Sequence, residues 1–312
     1  MAKNLLEHLG IRHDFEKENH LSVYSTVSAW GQAATRETPA IFSTNGAGWH
    51  LDRRSFDAFL SRQAEQQGAT IFLNTHLQSF EKSEGGWRVR LSDSKEIMAR
   101  FIVDATGRRA VFARKNGAAI QTTDRLVSFS RFFTLDEKCA PETLIESFEE
   151  GWWYTARAGA RRVVACLTDA DIGVKLGLSA KENWFALFGK TREIRKSVGN
   201  GATAEECLTR PANSARLVPV GEADWLAVGD AASAFDPLSS QGITKALRSA
   251  VFASYAIADL LVKSDKTAVS RYRKFIETEY DVYQKLYKKY YSNEQRWRDS
   301  LFWQRRHGSN PN

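Results

Sequence analysis

The stretch LAVGDAASAFDPLSSQGITKAL, residues 226–247, holds the residues best placed to do chemistry. A short apolar run ends in Gly229-Asp230, a loop carries Asp236-Pro237, and Gln241-Gly242-Ile243 opens a helical pattern rich in Ala and Leu. A helix starts with N–H groups that have no partner inside it, and its dipole makes that end positive. The N–H groups of Gly242 and Ile243 would therefore face an anion or a polar ligand. Asp230, at the carboxyl end of a strand, can accept hydrogen bonds from the hydroxyls of a sugar-like chain. A tight strand-to-helix connection with ordinary caps would use the same residues, and the segment alone leaves both readings open.

Other reactive side chains point to less. His50 lies between Trp49 and Leu51 just ahead of a helix pattern, where a packing or capping role is expected; His20 is a candidate by position only. No G-x-S-x-G elbow accompanies a Ser, His and Asp set, so hydrolase chemistry has little support. Cys139, Cys166 and Cys207 stand far apart, with no C-x-x-C and no histidine at ligand spacing. They read as reduced structural thiols, with no metal site. No catalytic residue is assigned.

These residues need elements to hold them. Residues 4–9 read as a helix end stopped by Gly10, residues 21–30 as a strand, and residues 40–43 as a short strand. Residues 53–68 place Phe56, Phe59, Leu60 and Ala64 at helical spacing, with Asp52 as N-cap and Gly68 as stop. Strands are expected at 70–73, 87–91 and 101–104, with a turn at Gly85-Gly86. From 126 to 169 the β-rich runs LVSFSRFFTL, TLIESFEE, GWWYTARA and RRVVACLTD follow one another through short connections, the pattern of an antiparallel sheet. A helix is expected over 181–198, an extended stretch over 215–220, a strand over 225–229, a helix over 241–263, and further helices to about residue 298. The fold class is α/β (α+β), with an antiparallel sheet inserted between two α/β regions.

Composition bounds the rest. The 312 residues, 43% hydrophobic and 26% charged, suit one large domain or two intimately built ones and exclude disorder as the main state. No apolar run reaches the roughly 18 residues of a membrane span. The charged first twenty residues do not resemble a signal peptide, so a cytoplasmic location is expected. Of the net charge of +7, an excess of 6 falls in residues 263–312, with 12 Lys/Arg against 6 Asp/Glu. The aromatics there, from Tyr272 through Tyr291 to Trp303, recur close to helical spacing, so they should pack inward with the cations in water. That reading is preferred to nucleic-acid stacking; docking of an acidic protein partner is the other use considered.

The 226–247 segment resembles the second FAD-binding motif of the p-hydroxybenzoate hydroxylase-like flavoproteins, a class that includes aromatic hydroxylases, geranylgeranyl reductases and flavin-dependent halogenases. FIVDATGRRA (residues 101–110) is similar to the Asp-Ala-Thr-Gly motif of that class, and HLDRRSFDAFL (residues 50–60) to its Arg-x-x-Phe-Asp helix start. The resemblance implies FAD as cofactor, with contacts at Arg53, Asp104, Gly107, Gly229, Asp230, Pro237, Gln241, Gly242 and Ile243, and Asp57 as a structural cap. It implies a three-layer β/β/α Rossmann-like domain over 1–124 and 210–264, a substrate-domain sheet over 125–209, and basic aromatic helices over 265–312. Trp152, Trp153, Arg131 and Tyr154 would form the far wall of the substrate site.

Within the class the chain looks like the halogenase-like branch, especially the flavoproteins that accompany oxidases carrying a tryptophan-derived quinone. Ser28-Ala29-Trp30-Gly31, residues 48–53 (GWHLDR), Gly151-Trp152-Trp153-Tyr154, Thr168-Asp169 and the ending RWRDSLFWQRR carry that likeness. Halogenases use a lysine shortly ahead of a Trp, whereas HLSVYSTVSA ahead of Trp30 has none, and their Trp-x-Trp-x-Ile-Pro motif is absent. The implied activity is monooxygenase-type oxidation of an aromatic, indole-like group on a small molecule or a partner protein, with electrons from a flavin reductase or NAD(P)H. The alternatives are a non-catalytic binding or scaffold protein derived from a flavoprotein and, behind it, a halogenase. The class also opens with a strand, a G-x-G-x-x-G turn and a helix. No G-x-G-x-x-G occurs here, and GNGATA at 199–204 follows a basic helix pattern, not a strand. The expectation is a shortened or degenerate relative that binds FAD poorly unless a Rossmann unit is added at its N-terminus.

Overall fold

The computed structural model describes residues 2–39, 48–134, 142–159, 161–198 and 205–308. The strand expected at 40–43, Cys139 and the GNGATA segment lie outside these residues. The chain divides into two compact units: Met1–Gln63 with Arg125–Ala212 and Leu286–Asn312, and Ala64–Asp124 with Asn213–Lys285. This division differs from the expected 1–124 with 210–264. The residues up to Gln63 join the antiparallel sheet, because the strand Ser25–Ala29 pairs in parallel with Thr143–Phe148.

The first unit is built on a seven-stranded sheet in the order Leu208–Pro211, Leu126–Thr134, Arg161–Asp169, Gly151–Ala158, Thr143–Phe148, Ser25–Ala29, Arg36–Pro39. Side chains alternate between its faces, as the pleat requires. Phe129, Arg131 and Phe133 are buried, while Ser130 and Phe132 between them are half-buried. Cys166 stands opposite both Phe129 and Trp153, so all three share the buried face. Helices Lys181–Phe188 and Glu193–Val198 close that face with Trp184, Phe188, Ile194 and Val198. The Trp184 ring lies 5.1 Å from Trp153, edge to face, and its Nε1–H donates to the Phe129 carbonyl at 2.9 Å. Burying a ring of that size removes about 200 Å² from water, roughly 5 kcal/mol before entropy is counted. The single helix expected over 181–198 is two, because Glu146 on the neighbouring strand accepts the N–H groups of Arg192, Glu193 and Ile194 at 2.7–2.9 Å and starts a new one.

On the other face Trp152 is fully buried and donates to the Tyr291 hydroxyl at 2.9 Å. Trp30 packs edge-on to Tyr291 and Trp303, 5.6 and 5.4 Å away. Gly31 is locked here: its φ is +76°, and a Cβ would meet the Asn293 carbonyl oxygen at 2.8 Å. The C-terminal aromatics of this unit pack inward as expected, apart from Tyr290, which is exposed.

In the second unit, Leu77–Ser83, Gly86–Leu91 and Glu96–Ala99 form one antiparallel sheet. The expected strand at 70–73 is not formed. The chain turns at Leu73-Asn74, and the strand follows as Leu77–Ser83, whose LQSFEKS composition hides it from a hydropathy reading. Trp225–Ala227 pairs in parallel with Ile102–Asp104, and Ala215–Val218 lies between Ala119–Thr122 and Ser233–Ala234. The core joins Trp87, Phe112, Trp225 and Leu226 to Ala253 and Ala256 of the helix Gly242–Lys263 and to Tyr272 and Ile276 of the helix Ala268–Ser292. The chain is thus the mixed α/β protein that its patterns predict. Among the described residues no helix is long and apolar enough to cross a membrane.

Candidate functional site

Parallel pairing sets Ala227 beside Asp104, and the Val228 N–H donates to the Asp104 carbonyl at 3.0 Å. The chain therefore leaves two neighbouring strands at their carboxyl ends, where ligand-binding loops of parallel sheets gather. After the first strand, the Asp104 carboxylate turns inward. It is 1% exposed and accepts from Thr106 N at 2.9 Å, Thr106 Oγ1 at 2.6 Å and Ala113 N at 2.9 Å. Asp104 was expected to touch a ligand; its three internal donors and its burial make it the brace of its own loop. Gly107 in that loop has φ of +66°, and a Cβ there would meet nothing within 4 Å, so its backbone borders open space.

After the second strand come Gly229 and Asp230. Gly229 has φ of +57°, its N–H donates to Ser249 Oγ at 2.9 Å, and a Cβ there would touch Ala246 at 3.4 Å, an ordinary contact, so it is the positive φ that favours glycine. Gly229 brings the loop close to the helix at the position where a ligand contact was expected. Asp230 is different. Its side chain is 38% exposed, yet Oδ1 lies 2.9 Å from Lys245 Nζ and Oδ2 3.7 Å from Arg108 Nε. Lys245 is 1% exposed, donates also to the Ser233 carbonyl, and sits 4.7 Å from the centre of the Phe235 ring. Burial pushes its ammonium below the usual lysine value, and the Asp230 charge pulls it back. Arg108 is anchored by donating to the carbonyls of Asn213 and Phe235 at 2.5 and 3.2 Å. Asp230 is thus held from two sides while part of it still faces outward.

The loop between strand and helix is fixed by its own polar groups. Asp236 is buried, and its Oδ1 accepts from Leu238 N at 2.8 Å, capping the short 3₁₀ turn Pro237–Ser239. Its N–H donates to the Tyr283 hydroxyl at 2.9 Å, and Tyr283 stacks on Phe235 at 4.0 Å. Pro237 is exposed as the first residue of that turn. Ser240, with φ of +51°, and Gln241 then lead into the helix Gly242–Lys263, which no side chain caps. Gly242 is exposed, and a Cβ there would meet nothing within 4 Å. A positive helix start, a partly exposed carboxylate and the Gly107 backbone therefore belong to one set of loops at the strand ends. Such a set suits a ligand that carries hydroxyls and negative charge.

Arg53 lies in the other unit. It is 64% exposed and pairs with Asp57 at 3.2 Å, one turn on. Asp57 is therefore no cap; Asp52 is, accepting from Arg54 N at 2.9 Å and Ser55 N at 3.2 Å. The expected aromatic wall also divides. Strand alternation puts Trp153 and Arg131 on the helix-covered face and Trp152 and Tyr154 on the opposite one. His50 has Nε2 2.8 Å from Thr143 Oγ1 and is pushed down to about 4 by burial, with the charge of Arg162 adding. It is neutral at pH 7. His20, a candidate by position only, packs against Phe15 at 5.1 Å.

Lys245, Arg108, Thr106 and Ser249 were not singled out from the sequence. One signal was available: Lys245 falls on the stripe of Ser249, Ala253 and Ala256 that the helix buries, and a buried lysine needs a counter-charge. Arg108 carried no such sign among neighbouring arginines.

A family model described as tryptophan halogenase matches residues 8–163 and 190–312. The chain is 32% identical over 291 residues to LodB of Marinomonas mediterranea, whose name assigns it provisionally to the FAD-dependent oxidoreductases; the match spans 91% of this chain and 78% of LodB. Among solved structures, the flavin-dependent halogenase CmlS superposes with a TM-score of 0.84 at 21% identity, over 97% of this chain and 58% of that one. The peptidyl tryptophan dihydroxylase QhpG, essential for tryptophylquinone cofactor biogenesis, superposes with a TM-score of 0.73 at 22% identity, over 97% of this chain and 68% of that one.

Proposed function

Because the chain belongs to the tryptophan halogenase family, we propose that it serves as an FAD-dependent oxidoreductase of the monooxygenase type, oxidising an indole-like group carried by a partner protein. The observation that carries the nucleotide part is Asp230, held by Lys245 and Arg108 yet open to the outside, on the loops that lead to an uncapped helix start. The residues fit the flavin end of FAD: open space at Gly107 and Gly242 admits a ligand against backbone, and Asp230 can accept from ribityl hydroxyls. FAD, when bound, supplies the redox and oxygen chemistry. The protein's part is to hold it: Gln241, Gly242 and Ile243 set N–H groups and a positive dipole against negative charge. The nucleotide-holding part is the unit that contains Asp230, and the seven-stranded sheet is the substrate-facing part. Arg53, whose ion pair with Asp57 is exposed and easily released, can turn to a phosphate or flavin oxygen.

Oxidation is favoured over halogenation because the strands Leu21–Val23 and Ser25–Ala29 ahead of Trp30 offer no lysine. The likeness to a peptidyl tryptophan dihydroxylase supports a protein-borne indole. The test supplies FAD, a flavin reductase with NADH, oxygen and a tryptophan-containing peptide, with and without bromide, and reads the product by mass spectrometry. Oxygen addition that ignores bromide is expected. Bromine incorporation would overturn the reading in favour of halogenation, and an unchanged peptide would favour a non-catalytic binding protein.

A further inference from the structure

A second cluster of unspent charge lies in the unit that carries Asp230, away from the 226–247 segment. A cavity of about 190 Å³ opens between the strand Ala215–Val218, with the Pro219-Val220 that follows it, and one face of the helix Ala268–Ser292. Leu217, Val220 and Ile276, all buried, supply apolar lining. Two half-buried arginines, Arg216 and Arg273, line the same space. Arg216 is aimed by its Nε–H, which donates to Gln121 Oε1 at 3.0 Å across the strand pair, and its guanidinium lies 5.9 Å from the centre of the Tyr280 ring, which also lines the cavity; its two terminal nitrogens make no hydrogen bond among the described residues. Arg273 has no hydrogen bond or ion pair among the described residues, although Glu277 lies one turn on and also lines the cavity.

Two guanidinium groups lining one half-buried space, with Glu277 as the one carboxylate among the lining residues, leave it net positive, and a planar fork is suited to carboxylate or phosphate oxygens. At roughly 30 Å³ per water the cavity holds the equivalent of about six waters, so its occupant is small. The exposed carboxylate of Glu277 at the rim disfavours a second negative charge. We propose that this cavity is a ligand site for a compact apolar molecule bearing a single carboxylate or phosphate head, with the head on Arg216 and Arg273 and the body on Leu217, Val220 and Ile276. It shares no residue with the proposed flavin site and stands or falls without it.

Isothermal titration of the full chain with benzoate, phenyl phosphate, inorganic phosphate and neutral benzamide tests this. Benzoate and phenyl phosphate should bind with Kd of about 1 mM or tighter, and benzamide and inorganic phosphate at least about tenfold more weakly. Arg273→Gln should weaken both aryl anions by about tenfold or more with the unfolding temperature unchanged. Should that variant fail to fold, Glu277→Gln decides, since removing an exposed rim charge should tighten binding several-fold. No saturable binding of either aryl anion, or affinities untouched by Arg273→Gln and Glu277→Gln, overturns the site. Inorganic phosphate binding as tightly as phenyl phosphate overturns the apolar part of the assignment.

Discussion

Two carboxylates show how differently the two units use their polar groups. Glu294, in the sheet-bearing unit, is 0% exposed and accepts from the Gly31 N–H at 2.8 Å, Ser147 Oγ at 2.7 Å and the backbone and guanidinium of Arg296 at 2.6–3.0 Å. Every acceptor position is filled from within, which ties the Trp30 turn to the C-terminal residues. Asp230, in the other unit, has two cations on one side and solvent on the other. Asp169 repeats the first pattern: it pairs with Arg306 at 2.7 Å, both side chains 2% exposed, and Arg305 joins at 2.9 Å. A buried charge that is fully paired is structure; one that is held but left partly unsatisfied is a place for a ligand.

The contrast can be broken by substitutions of graded effect. The largest should be Arg306→Leu, which leaves the buried Asp169 carboxylate with Arg305 on one oxygen and nothing in place of Arg306 on the other, and should cost about 3 kcal/mol in urea unfolding. A loss below about 1 kcal/mol would show that water already reaches the pair. Next is His50. Its folded-state value of about 4 lies below the ordinary 6.5, so the unfolded chain takes up the proton first as pH falls. Stability should therefore decline between pH 6.5 and 4 and level off below, by up to about 3 kcal/mol. His50→Gln, which can still reach Thr143, should flatten that part of the pH profile; an unchanged profile would remove His50 from the account. Smaller still is Asp230→Asn, expected to cost about 1–2 kcal/mol, because the carboxylate is itself partly solvated but the buried Lys245 loses its counter-charge. A cost as large as that at Arg306 would make Asp230 structural as well. The smallest is Arg53→Ala, where losing an exposed i,i+4 pair should cost about 0.3–0.5 kcal/mol.

The same contrast explains what could be read in the sequence. The sheet was legible because period-two patterns and short turns from 126 to 169 are local signals. Which face Trp152 or Trp153 takes also follows from alternation, yet the expected wall mixed the two faces. The helix start at Gly242, the cap at Asp52 and the turn at Gly85-Gly86 were legible for the same local reason. Pairing was not: the membership of Ser25–Ala29 in the large sheet depends on a parallel contact with Thr143–Phe148, more than a hundred residues away. The strand Leu77–Ser83 was hidden by polar residues that an antiparallel sheet tolerates on its wet face. At the site, Asp230 was found by motif, but its holders Lys245 and Arg108 come from 15 residues later and more than 100 earlier. That Asp104 braces its own loop was not legible, because a motif carboxylate that braces a loop and one that meets a ligand look alike until their donors are known.

The central claim is that the loops around Asp230 hold a flavin nucleotide. A fluorescence titration of FAD into the chain, repeated with Asp230→Asn and Gly242→Val, tests it most directly. The account predicts weak but saturable binding, as expected of a chain without a G-x-G-x-x-G turn, weakened a further tenfold or so by each substitution while both variants stay folded at the titration temperature. No saturable binding to the chain, or variants that bind FAD as the unaltered chain does, would contradict it.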